Sequence, residues 1–351
     1  MAKAKTKYLP VKIKGRPEFK IAYWEIDSGK EGPILLITAA LHGNEVHGSE
    51  VIRRFCPIAE KNIVKGRMIM IPFANPLALW NRRPHIVSTL AHPKGREIWD
   101  AEKKILRFDL HDNINCTWPG DPDGNEPSQV THVLYNKIVK QATHLIDMHC
   151  WSRFTVTAAL SDERKDIMSI SKAAALPAIS VRPGTETATG KIPGFPCTLG
   201  MLFRATGRIG LDMEFSGQYV LYEKEVVRGV RMLSNCSKHI GMFRGKPEGM
   251  EETVMVLESK TKQVPVKAPN EGLFAESGLS VGDYVKKGDI LGTLFSDRTL
   301  KTKEIKAPVD GYLYVYGHHR RFCDADLAEM HPYSDKGDTL AIIIKSQKKK
   351  S

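Results

Sequence analysis

The chain has 351 residues, of which 42% are hydrophobic, 26% are charged and 8% are aromatic. This composition excludes a mainly disordered or fibrous protein, the length predicts two domains, and apolar runs stay short of the roughly 18–20 residues that cross a bilayer. The net charge is +12, but seven of the lysines lie in residues 1–7 and 345–351 and no nucleic-acid-binding pattern accompanies them, so we expect a small, anionic substrate instead of nucleic acid.

Residues 31 to about 240 alternate between apolar, strand-like runs and stretches in which apolar residues have helical spacing. We predict strands at residues 34–41, 67–73, 144–149, 154–160, 178–181 and 211–215, and helices at residues 48–60 and 130–143. Strands that are apolar on both faces and separated by helices indicate an α/β layered sheet that is at least partly parallel.

The pattern changes near residue 248, where short alternating runs are interrupted by Gly, Pro and Asp. Two segments, 266–273 and 305–312, share a Lys-Ala-Pro core followed by a glycine, and such regular turns predict a small all-β unit. This unit resembles the barrel-sandwich fold of biotinyl and lipoyl carrier domains. The carrier lysine would fall at Leu300, so we expect a structural role without covalent biotin or lipoate. The predicted domains are 1–247 and 248–351.

Two of the predicted strands lead into polar residues that can bind a metal ion. His42 and Glu45 lie in a His-Gly-Asn-Glu turn after the first strand, and Asp147 and His149 end the strand at 144–149. Two imidazoles and one carboxylate make a catalytic zinc set with one position open, although the same set also suits iron. Asp147 would orient a ligand or line the substrate pocket. The alternative is a polar turn that caps the next helix and a structural histidine at a strand end.

Two further segments carry residues suited to hydrolysis. Glu214 lies inside the apolar strand at 211–215, where a carboxylate is costly to bury without a partner or a task. Near a reacting water it would act as general base; the alternative is a partnered structural carboxylate. Arg82 and Arg83 follow the strand at 67–73, and an arginine there would polarise a carbonyl or stabilise an oxyanion, unless the pair is simply solvated.

The order and spacing of these segments resemble the succinylglutamate desuccinylase/aspartoacylase family, a branch of the zinc carboxypeptidase superfamily. The matching segments are the His-Gly-Asn-Glu turn, the Asn-Pro-Leu-Ala segment before Arg83, Asn-Ile-Asn at 113–115, Asp-Met-His at 147–149 and the strand that contains Glu214. Many members add a C-terminal biotinyl-like barrel, so the resemblance covers essentially the whole chain.

The resemblance implies a zinc-carboxypeptidase-like mixed sheet with helices on both faces. It also implies one Zn²⁺ per chain, bound by His42, Glu45 and His149. Glu214 would be the general base, taking a proton from water and returning it to the leaving amine. Arg83 would polarise the acyl carbonyl. Arg82 is a close competitor for that role, because the spacing from the preceding alanine is one residue shorter than is usual in the family.

The residues that we expect near the substrate are Arg82, Asn115 and Asp147. Asn115 matches the family pattern, but Cys116 stands where an arginine normally grips a substrate carboxylate, and a neutral thiol cannot make that ion pair. Either the substrate lacks a carboxylate there or another cation substitutes, the candidates being Arg107, Arg153, Arg182, Lys191 and Arg204. Residues 84–112 are longer than the usual family connection and are expected to form a lid or specificity loop.

We therefore expect a zinc-dependent deacylase that hydrolyses the amide bond of a small N-acyl amino acid or N-acyl amine. The alternatives are a metallocarboxypeptidase-like peptidase or amidase and a non-catalytic ligand-binding relative. The six cysteines form no Cys-x-x-Cys pair, and no long apolar stretch follows the basic N-terminus, so we expect a cytoplasmic protein. We expect no membrane or nucleic-acid partner, and the sequence leaves a homo-oligomer open.

Overall fold

The computed structural model describes residues 2–86, 98–100, 105–107, 113–151, 154–182, 198–317, 319–324 and 327–345. Its first eleven strands are β1 (Lys5–Val11), β2 (Phe19–Asp27), β3 (Ile34–Ala39), β4 (Arg67–Ile71), β5 (Ile98–Asp100), β6 (Ile105–Arg107), β7 (His144–Cys150), β8 (Ala158–Ser161), β9 (Ala178–Val181), β10 (Ile209–Phe215) and β11 (Met255–Leu257). Strands β5 and β6 form a separate hairpin, and the other nine form one sheet in the order β1-β2-β4-β3-β7-β10-β8-β9-β11.

The centre of this sheet is parallel, and its edges bring in antiparallel pairs. Strands β4, β3, β7 and β10 run in parallel, whereas β8 is antiparallel to β10 and β1 and β2 form an antiparallel edge. The predicted mixed α/β sheet is therefore confirmed. The strand predicted at 34–41 ends earlier, at Ala39, because Ala40 turns the chain with a φ of 53°. The strand predicted at 154–160 begins only at Ala158.

Helices cover both faces of the sheet, as expected. They are α1 (His47–Asn62), α2 (Pro76–Trp80), α3 (Glu126–Lys137), α4 (Lys165–Ala173), α5 (Leu199–Ala205) and α6 (Glu223–His239), with 3-10 turns at Ile114–Cys116, Val139–Gln141 and Met250–Glu252. Phe55, Ile170 and Leu233 of α1, α4 and α6 share one core, and Leu134 and Phe203 of α3 and α5 share the other. The helix predicted at 130–143 is α3 plus a 3-10 turn. Among the described residues, no helix is long and apolar enough to cross a membrane.

The C-terminal part is all-β, as predicted. Its strands are β12 (Gln263–Lys267), β13 (Gly272–Glu276), β14 (Tyr284–Val285), β15 (Ile290–Phe295), β16 (Thr302–Lys306), β17 (Gly311–Tyr316), β18 (His319–Asp324), β19 (Leu327–His331), β20 (Tyr333–Ser334) and β21 (Thr339–Ile344). They form two four-stranded antiparallel sheets, β12-β21-β17-β14 and β16-β15-β13-β20, and a β18–β19 hairpin. Leu300, 72% exposed, lies in the turn between β15 and β16. The likeness to a carrier barrel stays a prediction.

The large sheet takes its last strand, β11, from beyond residue 247, so the chain returns to the sheet before it enters the C-terminal part. The division at 247 stays a prediction. Backbone hydrogen bonds join the C-terminal part to the segment before β8: Val156 donates to the Tyr314 carbonyl (2.9 Å), and Tyr316 donates to the Phe154 carbonyl (3.2 Å). Because β8 pairs with β10, these bonds connect β17, through the segment before β8, to the strand that contains Glu214.

Candidate metal and catalytic centre

The predicted site residues meet at the carboxyl ends of the central strands of the sheet. Strands β3, β7 and β10 are parallel neighbours, so their carboxyl ends lie side by side. Glu214 of β10 is paired in register with His149 of β7, and the turn that carries His42 and Glu45 follows β3 directly. Open α/β sheets bind ligands at these strand ends.

A tight turn brings His42 and Glu45 together. The backbone N–H of Glu45 donates to the His42 carbonyl at 3.1 Å, and α1 begins shortly after the turn. Gly43 packs directly on α2, where a Cβ atom would meet the Ala78 carbonyl carbon at 2.3 Å. Only glycine fits at this position without movement of the backbone. The lack of a side chain allows the turn to pack closely against α2.

His42, Glu45 and His149 each offer a ligand atom, and these atoms all lie within 4.8 Å of one another. His42 Nδ1 lies 3.0 Å from Glu45 Oε1, and His149 Nδ1 lies 2.9 Å from Glu45 Oε2. Ligands of a tetrahedral zinc ion at 2.0–2.1 Å are about 3.3 Å apart, so a small relaxation would admit the ion. Two imidazoles and a carboxylate fit zinc chemically, and they also fit iron.

The outer nitrogens of both imidazoles face oxygen acceptors. His42 Nε2 lies 2.9 Å from Asn113 Oδ1, and His149 Nε2 lies 2.9 Å from Asp147 Oδ2. With the hydrogen on Nε2 and donated to these oxygens, each imidazole would keep its Nδ1 lone pair for a metal ion. Asp147 is fully buried and also accepts a hydrogen bond from Thr38 Oγ1 at 2.6 Å. The structure thus places Asp147 behind His149, in the orienting position.

The centre is strongly polarised. Burial opposes ionisation of Glu45, but the charges and hydrogen bonds of His42 and His149 outweigh it and hold the pKa of Glu45 below its usual range. Burial alone would lower the pKa of His149, but Asp147 and Glu45 raise it well above its usual range. Two buried carboxylates thus stabilise positive charge at this point, and a divalent cation would meet the same need.

Glu214 is half-buried on the same face of the sheet, and its Oε2 atom is buried without a hydrogen-bond partner among the described residues. Burial and the nearby charge of Glu45 raise the pKa of Glu214 to about 8, although His149 and Arg182 oppose the shift. A carboxylate with a pKa near neutrality, beside residues that could hold a metal ion, is suited to accept and return a proton.

The structure places the two arginines after α2 differently. Arg82 is exposed in a left-handed conformation (φ 57°), and its guanidinium donates to the Trp80 carbonyl at 3.4 Å; its place near the substrate stays a prediction. Arg83 is half-buried. His85, two residues further on, packs its ring edge-on against His42, with ring centroids 5.5 Å apart. The carbonyl-polarising role of Arg83 stays a prediction.

Asn115 lies beside the centre, 9% exposed. Its Oδ1 accepts the backbone N–H of Leu199 at 3.0 Å, and its Nδ2 lies 3.2 Å from His149 Nε2. Cys116 is half-buried, and burial raises the pKa of its thiol although the nearby His149 lowers it, so the thiol is neutral. The structure therefore offers no charge at the position where the family has an arginine.

Among the cations considered for that missing charge, the structure separates Arg204 from Arg182. The Arg204 guanidinium is held by Asp212 at 3.1 Å and by the Gly210 carbonyl at 2.9 Å, and its side chain is only 7% exposed. Arg204 is thus occupied inside the fold. The side chains of Arg107, Arg153 and Lys191 lie outside the described residues, as do those of most of residues 84–112.

Arg182 follows β9 on the face that carries Glu214. Glu214 is paired with Ala158, and Ala158 with Ala178. Alternate residues of a strand share a face, so Arg182, four residues after Ala178, points to the same side as Glu214. Arg182 is exposed. Burial raises the pKa values of Glu214 and Tyr314, and the charge of Arg182 opposes both shifts.

The sequence analysis assigned no role to Asn113, His85 or Gln218. Asn113 lies in the segment that matched the family, only two residues before Asn115. Gln218 follows Glu214 by four residues and donates to Glu45 Oε1 at 2.8 Å. A single sequence carries no signal for these contacts, because each joins residues that are distant along the chain.

Comparison with known proteins identifies the family. A family model described as the succinylglutamate desuccinylase/aspartoacylase catalytic domain matches residues 31–240. The chain is 24% identical over 327 residues to an N-alpha-acetyl-L-2,4-diaminobutyric acid deacetylase of Halomonas elongata, a match that covers 89% of this chain and 82% of the relative.

Solved structures share the fold. An aspartoacylase family protein from Mesorhizobium loti has a TM-score of 0.66 and 21% identity, covering 99% of this chain and 96% of that one. The product-bound ectoine utilization protein EutE from Ruegeria pomeroyi has a TM-score of 0.67 and 18% identity, covering 98% and 95%. Because the family model covers more than half of its length, the chain belongs to the succinylglutamate desuccinylase/aspartoacylase family.

Proposed function

We propose that this protein is a zinc-dependent hydrolase that cleaves the amide bond of a small N-acyl amino acid or N-acyl amine. The observation that carries the proposal is the convergence of His42, Glu45 and His149, whose ligand atoms lie within 4.8 Å of one another, beside the half-buried Glu214. We assign His42, Glu45 and His149 as ligands of one Zn²⁺ per chain and Glu214 as the general base.

Each residue of the centre would have a distinct role in hydrolysis. A zinc ion bound by this set would supply Lewis-acid chemistry, lowering the pKa of water to about 7 and polarising the acyl carbonyl. Glu214 would take a proton from the attacking water and return it to the leaving amine. Arg83 would donate to the developing oxyanion, a role whose loss commonly costs ~10²–10³ in rate. Asp147 and Asn113 would keep the imidazoles in the tautomer that binds metal.

The relatives guide the choice of substrates. The Halomonas elongata relative carries the name of a deacetylase of an N-alpha-acetylated diamino acid, and the family name refers to succinylated glutamate and acylated aspartate. These names support a small acylated amino acid as substrate. The neutral Cys116 distinguishes this chain from the family pattern and makes the substrate's acidic group the main variable of a screen.

Metal content is the first test. Purified wild-type protein is expected to contain about one zinc per chain by elemental mass spectrometry, and His149→Ala is expected to lose it. His132→Ala is a matched control, because His132 is half-buried on α3 and contacts Asn136, away from the centre. The loaded enzyme is then offered N-alpha-acetyl-2,4-diaminobutyrate, succinylglutamate, acylated aspartate and short peptides, and amine release is measured.

The outcomes separate the proposed function from its alternatives. Zinc together with release from acylated amino acids supports the deacylase. Zinc with release from peptides alone replaces the deacylase by a metallocarboxypeptidase-like peptidase. A wild-type chain that holds no metal even after zinc is offered, and that releases no amine, refutes the hydrolase and points to a non-catalytic binding protein.

A further inference from the structure

One buried side chain joins all three segments that build the centre. Gln218 Nε2 donates to Glu45 Oε1 at 2.8 Å and to the backbone carbonyl of Cys150 at 2.9 Å, while its Oε1 accepts from Asn44 Nδ2 at 2.9 Å. Asn44 and Glu45 belong to the turn after β3, Cys150 ends β7, and Gln218 itself follows β10. Gln218 is 9% exposed.

These contacts determine how the amide is oriented. The Cys150 carbonyl can only accept a hydrogen bond, so the NH₂ group of Gln218 must face it. The second hydrogen of the same nitrogen is then directed at Glu45 Oε1, and the amide oxygen is directed at Asn44. A flipped amide would set oxygen against the Cys150 carbonyl and against the Glu45 carboxylate. The amide therefore serves as a donor to Glu45.

The Glu45 carboxylate is held on both oxygens. Oε1 faces Gln218 Nε2 and His42 Nδ1, whereas Oε2 faces His149 Nδ1. Glu45 is 4% exposed, so protein groups instead of bulk water must fix its rotamer. An amide does this without bringing a charge. A lysine or arginine in its place would also donate, but it would repel a divalent cation.

We infer that Gln218 is a positioning residue that presents the Glu45 carboxylate to the metal ion. The inference rests on the proposed metal-binding role of His42, Glu45 and His149, and it adds a residue from the segment after the general base. Gln218 thereby couples the strand that carries Glu214 to the turn that carries Glu45.

The backbone next to Gln218 supports this role. Tyr219 has a φ of 63°, a left-handed backbone conformation that residues other than glycine rarely adopt. Its N–H donates to the Asn44 carbonyl at 2.9 Å, so a second hydrogen bond joins the same two segments. The strained backbone and the oriented amide together hold the segment after β10 against the His-Gly-Asn-Glu turn.

The test is the zinc affinity of Gln218→Met, measured by competition with a chelator. Methionine is similar in length but cannot donate to Glu45. The matched control is Gln129→Met, because Gln129 is 8% exposed and hydrogen-bonds Lys14 and Gly124. Removal of a group that orients a metal ligand typically costs 10–100-fold in metal affinity, so we expect that loss in Gln218→Met and none in Gln129→Met.

A second variant and a stability measurement separate positioning from folding. Asn44→Leu leaves Gln218 in place but removes the donor that orients its amide, and it is expected to weaken zinc binding less than Gln218→Met does. In the double variant the two losses should not add, because both act through one amide. The melting temperature of the metal-free chain shows whether either variant has lost its fold.

Two results would overturn the inference. Equal zinc affinity of wild type and a folded Gln218→Met would remove Gln218 from the metal site while leaving the proposed hydrolase intact. Fully additive losses of zinc affinity in the double variant would show that Asn44 and Gln218 do not act through the same amide. A wild-type chain that binds zinc but hydrolyses nothing would refute the proposed activity and leave the comparison of zinc affinities valid.

Discussion

The burial of Glu214 makes a prediction about stability that needs no substrate. In the metal-free chain, burial and the charge of Glu45 raise the pKa of Glu214 from 4.5 to about 8. Replacing Glu214 by Gln keeps the shape of the side chain and removes its ionisation. The variant therefore measures what it costs to hold a charge at this place.

The sign follows from proton linkage. Between about pH 4.5 and about pH 8 the unfolded chain has released the Glu214 proton while the folded chain still holds it. The folded state then binds more protons than the unfolded state, so wild-type stability falls as pH rises through this window. At 1.4 kcal/mol per pKa unit, the full shift corresponds to at most about 5 kcal/mol, and partial exposure of Glu214 reduces it.

The assay is urea denaturation of metal-free wild type and Glu214→Gln at about pH 5, about pH 6.5 and about pH 8.5. The two proteins should be similar in stability at the lowest pH, and the variant should gain progressively as pH rises. Glu126→Gln is the control of opposite sign: Glu126 is buried and its carboxylate receives Arg16 Nε and Nη2 at 3.0 and 2.9 Å, so its loss should destabilise the chain throughout.

A constant difference between wild type and Glu214→Gln across this pH range would refute the reasoning, since it would show that the carboxylate is not disfavoured by its surroundings. The zinc-loaded variant adds a check on the role. Turnover should vanish while zinc stays bound. Loss of zinc together with turnover would make Glu214 a metal ligand instead of the general base.

Three other substitutions probe neighbouring features of the centre. Asp147→Asn leaves one acceptor oxygen where Thr38 and His149 need two, so zinc affinity should fall about 10–100-fold in a chelator competition, and an unchanged affinity would contradict the orienting role. Gly43→Ala would drive a Cβ atom into the backbone of α2 at 2.3 Å and should cost about 1–3 kcal/mol in urea unfolding; an unaltered midpoint would show that the turn can move away. If Arg182 binds the substrate's carboxylate, Arg182→Ala should raise KM about 10–100-fold for an acylated amino acid but not for its carboxamide. An equal rise in both KM values would show that Arg182 does not bind that carboxylate.

Much of the fold follows from patterns that are local in sequence. Strands such as β3 and β7 are buried on both faces, so their apolar runs are continuous and easily recognised. The antiparallel edge β1–β2 was not predicted, because β1 has only two buried residues in seven and reads as a polar segment. Strand β3 ends earlier than predicted because Ala40 has a left-handed conformation. Alanine does not favour that conformation, so the sequence gives no sign of it.

The residues of the centre were accessible for a similar reason. Each motif is short and lies at the end of a strand, and parallel strands bring their carboxyl ends to one edge of the sheet whatever their separation along the chain. The sequence thus assigned His42, Glu45, His149 and Glu214 to one proposed site, and the structure brings them together there.

What surrounds the centre was decided only by the tertiary structure. Asn113 reaches His42 across 71 positions, and Gln218 reaches Glu45 across 173. The sequence does not distinguish Arg204 from Arg182 as a partner for the substrate. The structure does, because the Arg204 guanidinium forms an ion pair with Asp212. Hydrogen bonds and ion pairs between distant segments depend on the packing of the whole sheet. Local composition therefore determined which elements form and which residues can react, and packing determined which partners orient them.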